Sequence, residues 1–206
     1  MIDAHPAAAM MSRWRKFAGT RTGSLLLAMM CGAMCGILAT PVAAEQGERS
    51  LERGVKAAFL YKFAGYVEWP AGSAPAPDAP FVIAIAHETA LAEELERLVP
   101  GRRVDNRPIT VRRVKEGDPL AGISILFIGA TERTRTTNLI RAAQQHPMLV
   151  VTEVENGLAL GSGINFVLID GRVRFEASPE AVEKSGLKLS SRLLSVAANA
   201  RAGAAQ

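Results

Sequence analysis

Few residues in this chain have types and spacings that chemistry could use. Cys31 and Cys35 are spaced like a metal or redox pair, but both sit inside the uncharged apolar run Ser24 to Leu38. A zinc or redox centre does not fit there. His87 follows the apolar segment 81–86. In an open α/β sheet, ligands gather beyond the carboxyl ends of strands, so His87 is a candidate site residue or an exposed loop histidine. His146 precedes Pro147, where a helix should end and its dipole favours a histidine. Ser162 lies in Gly161-Ser162-Gly163, which is not the GxSxG elbow of a nucleophile and leads into Ile164. Gly157, Gly161 and Gly163 do not form GxGxxG, and a strand rather than a helix follows them, so no dinucleotide site is expected. Glu93 with Glu94, and Glu153 with Glu155, read as solvated carboxylates. No HExxH or other metal spacing exists. No enzyme, cofactor or metal is expected.

Two stretches carry more charge or pattern. Arg102, Arg103, Arg107, Arg112, Arg113 and Lys115 form the densest basic region. It could meet an anionic partner, but an edge strand guarded by charge is the simpler reading. Gly186-Leu187-Lys188-Leu189-Ser190-Ser191-Arg192 alternates apolar and polar residues and then begins a helix. Leu187 and Leu189 should face inward along a strand. Lys188 and Arg192, with the N–H groups of the helix start, could hold a carboxylate or phosphate.

The elements that would position these residues follow from periodicity. Glu45 to Ser50 is a polar lead. Leu51 to Val67 has apolar residues at helical spacing, ended by Trp69-Pro70. Strands are expected at Phe81–Ala86, Ile109–Val114, Ile123–Ile128 and Met148–Val154. Helices are expected at Ala90–Val99, capped by Thr89, and at Arg133–Gln145. Ile164–Ile169 and Arg172–Ala177 flank Asp170-Gly171, a strong hairpin signal. Ser178 should cap a helix starting at Pro179, and Ser190 or Ser191 a last helix with Leu193, Val196 and Ala197 inward. The expectation is one α/β domain of three layers, with a mostly parallel twisted sheet, flanking helices and a late antiparallel hairpin.

The chain has 206 residues, 49% hydrophobic and 21% charged, as a globular protein should. Its net charge of +4 suggests nucleic acid, but the charge is badly placed for that. Residues 1–44 hold Arg13, Arg15, Lys16 and Arg21 against Asp3 alone. Of the 24 basic and 20 acidic residues, 20 and 19 therefore remain in residues 45–206. The basic segment, the apolar run and Val42-Ala43-Ala44 have the layout of a cleavable export signal. The apolar run is shorter than the ~20 residues a membrane span needs. Cleavage after Ala44 is expected to leave residues 45–206 as a cysteine-free periplasmic domain, with no nucleic-acid partner.

Two long, ordered signatures give the resemblance. One is Lys56-Ala57-Ala58-Phe59-Leu60-Tyr61-Lys62-Phe63, continuing to Val67-Glu68-Trp69-Pro70. The other runs from Gly163-Ile164-Asn165-Phe166 and Gly171-Arg172-Val173-Arg174-Phe175-Glu176 to Gly186-Leu187-Lys188-Leu189-Ser190-Ser191-Arg192. With Ile125-Leu126-Phe127-Ile128-Gly129 between them, the chain closely resembles the YfiR family. The resemblance implies a periplasmic protein without catalysis. It would repress an inner-membrane diguanylate cyclase by binding the periplasmic part, and so control cyclic di-GMP and biofilm. It further implies an OmpA-like outer-membrane lipoprotein that sequesters the repressor, and a homodimer. Lys188, Ser190, Arg192, Arg174 and Trp69 are the ligand- or partner-binding residues it points to. Lys188 and Ser190 stand where the best-known member has arginine and histidine. The disulfides of that member have no counterpart in residues 45–206. The alternative readings are a small-ligand-binding protein feeding a transporter or sensor, and an exported hydrolase using Ser162 or His87.

Overall fold

The computed structural model describes residues 41–71 and 78–199. The expected export signal, with Cys31 and Cys35, lies outside the described residues except where residues 41–44 open a helix. Residues 46–206 form a compact unit that contains the whole of the sheet. Helix α1 spans Pro41–Phe63, so residues 45–50 are helical rather than a polar lead. It also stops four residues before Val67. Gly65 lies in the turn after it, where its N–H donates to the Lys62 carbonyl at 3.0 Å. Val67–Glu68 then forms a short strand, β1.

The main sheet is built from β2 (Phe81–Ala86), β3 (Arg103–Val104), β4 (Arg107–Val114), β5 (Ile125–Ile128), β6 (Leu149–Thr152), β7 (Ile164–Ile169) and β8 (Arg172–Ala177). Its order is β3-β4-β2-β5-β6-β7-β8. The strands from β4 to β7 run parallel, and β3 and β8 are antiparallel edges. Helices α2 (Thr89–Leu98) and α3 (Arg133–Ala143) connect the parallel strands. Helix α4 (Pro179–Lys184), strand β9 (Lys188–Leu189) and helix α5 (Ser191–Leu194) come after the hairpin. The expected mostly parallel α/β sheet with a late antiparallel hairpin is therefore the fold.

The central strands read as continuous apolar runs because helices cover both faces. Leu91, Ala92 and Leu95 of α2 join Ala57, Leu60 and Phe63 of α1 in one core. Leu139, Ile140 and Ala143 of α3 lie in another, on alternate residues of the same strands. In β5, Ile125 and Phe127 face the first core, and Leu126 and Ile128 the second. The first core is rich in aromatics. Phe63 stacks on Phe166 at 5.9 Å and meets Phe175 edge-on at 5.2 Å.

Local details depart from the periodicity. Thr89 is inside α2 rather than capping it; Glu88 holds the cap position without a side-chain bond. The β3–β4 hairpin was not legible as a pattern, yet Asp105 and Asn106 at its turn both have positive φ, as a tight hairpin requires. Val196 is exposed rather than inward, while Leu193 and Ala197 are buried as expected. Ser178 does cap α4, its Oγ accepting from the Ala181 N–H at 3.2 Å.

One buried polar knot fixes the β6–β7 connection. Thr152 Oγ1 hydrogen-bonds Ser162 Oγ at 2.9 Å and donates to Asn165 Oδ1 at 2.8 Å. The same Asn165 oxygen accepts from the Val154 N–H at 3.2 Å. A Cβ on Gly157 would collide with both Thr152 Oγ1 and Asn165 Oδ1. Gly157→Ala is therefore expected to cost about 1–3 kcal/mol by overpacking. Denaturant unfolding measures it, and an unchanged midpoint would contradict the knot.

Candidate functional site

The sheet topology makes a crevice. From β2 the chain turns through α2 to β4 on one side, whereas β5 lies on the other. Helices α2 and α3 accordingly pack on opposite faces. Between the carboxyl ends of β2 and β5 the connections diverge, which is where α/β sheets bind ligands. His87 and Glu88 follow β2; Gly129 and Ala130 follow β5. The loops nearly touch: a Cβ on Gly129 would lie 3.0 Å from Glu88 Cβ and 3.3 Å from the His87 carbonyl. The Gly129 N–H donates to the Ala86 carbonyl at 2.9 Å.

Above this end of the sheet, α1 lays down a charged row. Arg49, Glu52, Arg53 and Lys56 line a cleft of about 260 Å³ with Glu88 and Glu153. Helical spacing puts Glu52 and Lys56 on one face, four residues apart. Lys56 is only 6% exposed, and its ammonium bonds both the Glu52 and the Glu153 carboxylates. Burial pushes the Glu153 carboxyl above its ordinary pKa, against the opposing pull of the Lys56 hydrogen bond and charge. The nearby charges of Glu52 and Glu88 push the same way as burial. Glu153 is thus not the solvated carboxylate that sequence reading suggested. It belongs to a carboxylate–ammonium–carboxylate cluster that ties α1 to the end of β6. Lys56 stood in the family signature, but nothing local marked Glu153, 97 residues on, as its partner.

Ser162 and His87, the two residues considered for a hydrolase, lie in different surroundings. Ser162 is fully buried and occupied with Thr152. His87 is exposed with φ of 62°, and lines a separate cleft with Glu88, Thr89, Arg113, Lys115 and Asp118. Among the described residues, no three His, Asp or Glu side chains gather as metal ligands would. The basic stretch satisfies the chain's own acceptors. Arg102 donates to the Leu98 carbonyl, Arg103 to Asn106, Arg107 to Ala79 and Pro80, and Arg112 to Pro119; Arg113 pairs with Glu96.

Four of the five residues singled out from the sequence come together on a small ribbon. Strand β1 pairs antiparallel with β9, setting Glu68 opposite Lys188. Trp69 follows β1, half-buried, with its Nε1–H donating to the Ala64 carbonyl at 3.2 Å and its ring edge-on to Phe81 at 5.2 Å. The Ser190 N–H donates to the Tyr66 carbonyl at 2.9 Å, and Ser190 Oγ accepts from the Leu193 N–H at 3.3 Å. The helix start is therefore capped by its own serine. Lys188 and Arg192 are exposed beside it. Arg174 lies apart from the ribbon, exposed on edge strand β8. Ser190→Ala is expected to lower stability by about 1 kcal/mol through loss of the cap. Thermal unfolding measures that; an unchanged stability would contradict the capping role.

No curated protein matches the chain. A family model described as YfiR/HmsC-like matches residues 53–198, from Arg53 within α1 to Ala198 in the C-terminal segment. That span is well over half of the sequence and holds the ribbon, the crevice and the hairpin. The chain belongs to the YfiR/HmsC-like family.

Proposed function

We propose that this protein is an exported, non-enzymatic regulator. It binds the periplasmic part of an inner-membrane diguanylate cyclase and represses it, which lowers cyclic di-GMP and biofilm formation. The observation that carries the reading is the YfiR/HmsC-like match across residues 53–198. The buried state of Ser162 and the use of the basic stretch on its own carbonyls support a role for surface rather than catalysis. In this reading Trp69, Lys188, Ser190 and Arg192 on the ribbon, and Arg174 on β8, contact the partner or a small ligand. A homodimer and an OmpA-like outer-membrane lipoprotein that withdraws the repressor complete the scheme. Deleting the gene should raise cyclic di-GMP and surface attachment, and a copy with its export signal should restore both. An unchanged level in cells that contain the cyclase contradicts the proposal.

One observation favours a second reading, a small-ligand-binding protein. The mixed-charge cleft beside Lys56 sits at the divergence point of the sheet, where small molecules bind. A metabolite that raises the unfolding temperature of wild type but not of Glu153→Gln would favour it.

A further inference from the structure

Strand β8 is an edge of the seven-stranded sheet. The Ser178 N–H donates back to Gly163, on the β7 side, at 2.9 Å. The neighbouring Ala177 turns its polar groups the other way. Its N–H donates to Asn199 Oδ1 at 3.2 Å, and its carbonyl accepts from Asn199 Nδ2 at 2.8 Å. One side-chain amide thus makes the pair of bonds that an adjacent strand would make. Antiparallel pairing alternates along a strand, so the N–H and C=O groups of Phe175 and Val173 also face outward.

The side chains beside this edge differ between its two faces. On one, Arg172 and Arg174 are exposed and make no ion pair or hydrogen bond among the described residues. They line a cleft of about 460 Å³ with Ile169, Asp170, Val196 and Ala198. On the other, a groove of about 620 Å³ separates the hairpin from α1, lined by Leu51, Val55, Phe59, Leu168 and Val173, with Glu48, Glu52 and the same two arginines at its rim. Leu51 is 74% exposed and Leu168 59%, and the two share this groove rather than standing singly on the surface. Every large hydrophobic residue exposed among the described ones, Ile169, Val196 and Val55 included, lines one of these two hollows.

We propose that the outer edge of β8 is a docking slot for an extended segment of alternating apolar and acidic residues, which joins the sheet as a further strand. Main-chain bonds to Val173 and Phe175 would hold such a segment. Its apolar side chains would cover Leu51, Val55 and Leu168, and its carboxylates would stand across from Arg172 and Arg174. The same arginines argue against a second copy of this chain as the occupant. Pairing β8 with β8 about Val173 sets Arg172 against Arg174, and the register about Phe175, which would set Arg174 against Glu176, needs the Ala177 groups that Asn199 already holds. The inference deepens the partner-binding reading above and rests on it for the physiological occupant, but the slot is testable without that occupant.

The probe is a labelled, end-blocked peptide of about nine residues alternating valine and glutamate, the span of one strand with overhang. Its counterpart carries lysine in place of glutamate. The exported protein should bind the glutamate peptide saturably in fluorescence anisotropy, and should slow amide exchange at Val173 and Phe175. The double variant Arg172→Glu/Arg174→Glu, which alters only exposed side chains, should weaken that binding by about tenfold or more and come to prefer the lysine peptide. Leu168→Thr should weaken both peptides. Equal affinity for the two peptides, or exchange at Val173 and Phe175 unchanged on binding, overturns the slot. So does a concentration-dependent dimer that protects those amides with no peptide present, because a second copy then fills the edge. Specific peptide binding together with unchanged cyclic di-GMP after gene deletion would leave the slot standing and remove the cyclase reading. The reverse pattern would do the opposite.

Discussion

Phe63→Ala is expected to lower the unfolding free energy by about 3–5 kcal/mol. Phe63 is fully buried at the end of α1 and lies within 6 Å of Phe59, Phe166 and Phe175. Its removal opens a cavity between the helix and the β7–β8 hairpin. Nothing nearby can collapse into it, because Phe166 is itself braced by Phe127 at 6.1 Å. Aromatic pairs add about 0.5–1.5 kcal/mol beyond burial, so the loss should sit high in that range. Denaturant unfolding followed by fluorescence measures it. The contrast is Trp69→Ala: Trp69 is only half-buried, so truncation should cost less and bear more on whatever touches the ribbon. Equal losses at the two positions would contradict the assignment of Phe63 to the core and Trp69 to its margin.

Lys56→Met should cost about 3 kcal/mol at neutral pH, because it strips the cation from two partly buried carboxylates while keeping the apolar stem. Glu52 and Glu153 retain 27% and 30% side-chain exposure, which holds the loss at the low end for a broken buried pair. Its pH dependence has a definite sign. Burial raises the Glu153 carboxyl above its ordinary pKa of 4.5. A carboxyl raised in the fold binds its proton more readily there than in the unfolded chain. Its own contribution thus favours folding at low pH and is lost as pH rises through the folded pKa. Lys56 opposes that rise, so removing it pushes the carboxyl higher still. The gap in stability between wild type and Lys56→Met should be small near about pH 4 and wide at about pH 8. A gap of constant width across that range would contradict the coupling of Lys56 to Glu153.

Much of the fold was legible because its strands announce themselves. Phe81–Ala86 and Ile164–Ala177 stand where the apolar runs and Asp170-Gly171 put them. A parallel strand buried on both faces has no alternation to misread. The end of α1 was not legible. Helical spacing through Tyr66 and Val67 is equally consistent with a turn and a strand, and only pairing with β9 decides between them. Strand β4 stands where Ile109–Val114 put it, but its partner β3 is only Arg103–Val104 and carries no pattern of its own. Glu153 reads as a solvated carboxylate in the sequence because its environment is made by α1, nearly a hundred residues away. The exposure of Val196 likewise depends on the C-terminal segment meeting β8 through Asn199, which no local periodicity encodes.

The central claim is that this domain acts on a membrane-bound cyclase by binding it. Its most direct test adds purified residues 45–206 to the periplasmic side of membranes that carry the diguanylate cyclase and measures the rate of cyclic di-GMP synthesis. The rate should fall saturably, and the protein should remain with the membranes when they are collected. A rate that stays constant at saturating protein, with nothing retained on the membranes, would contradict the account.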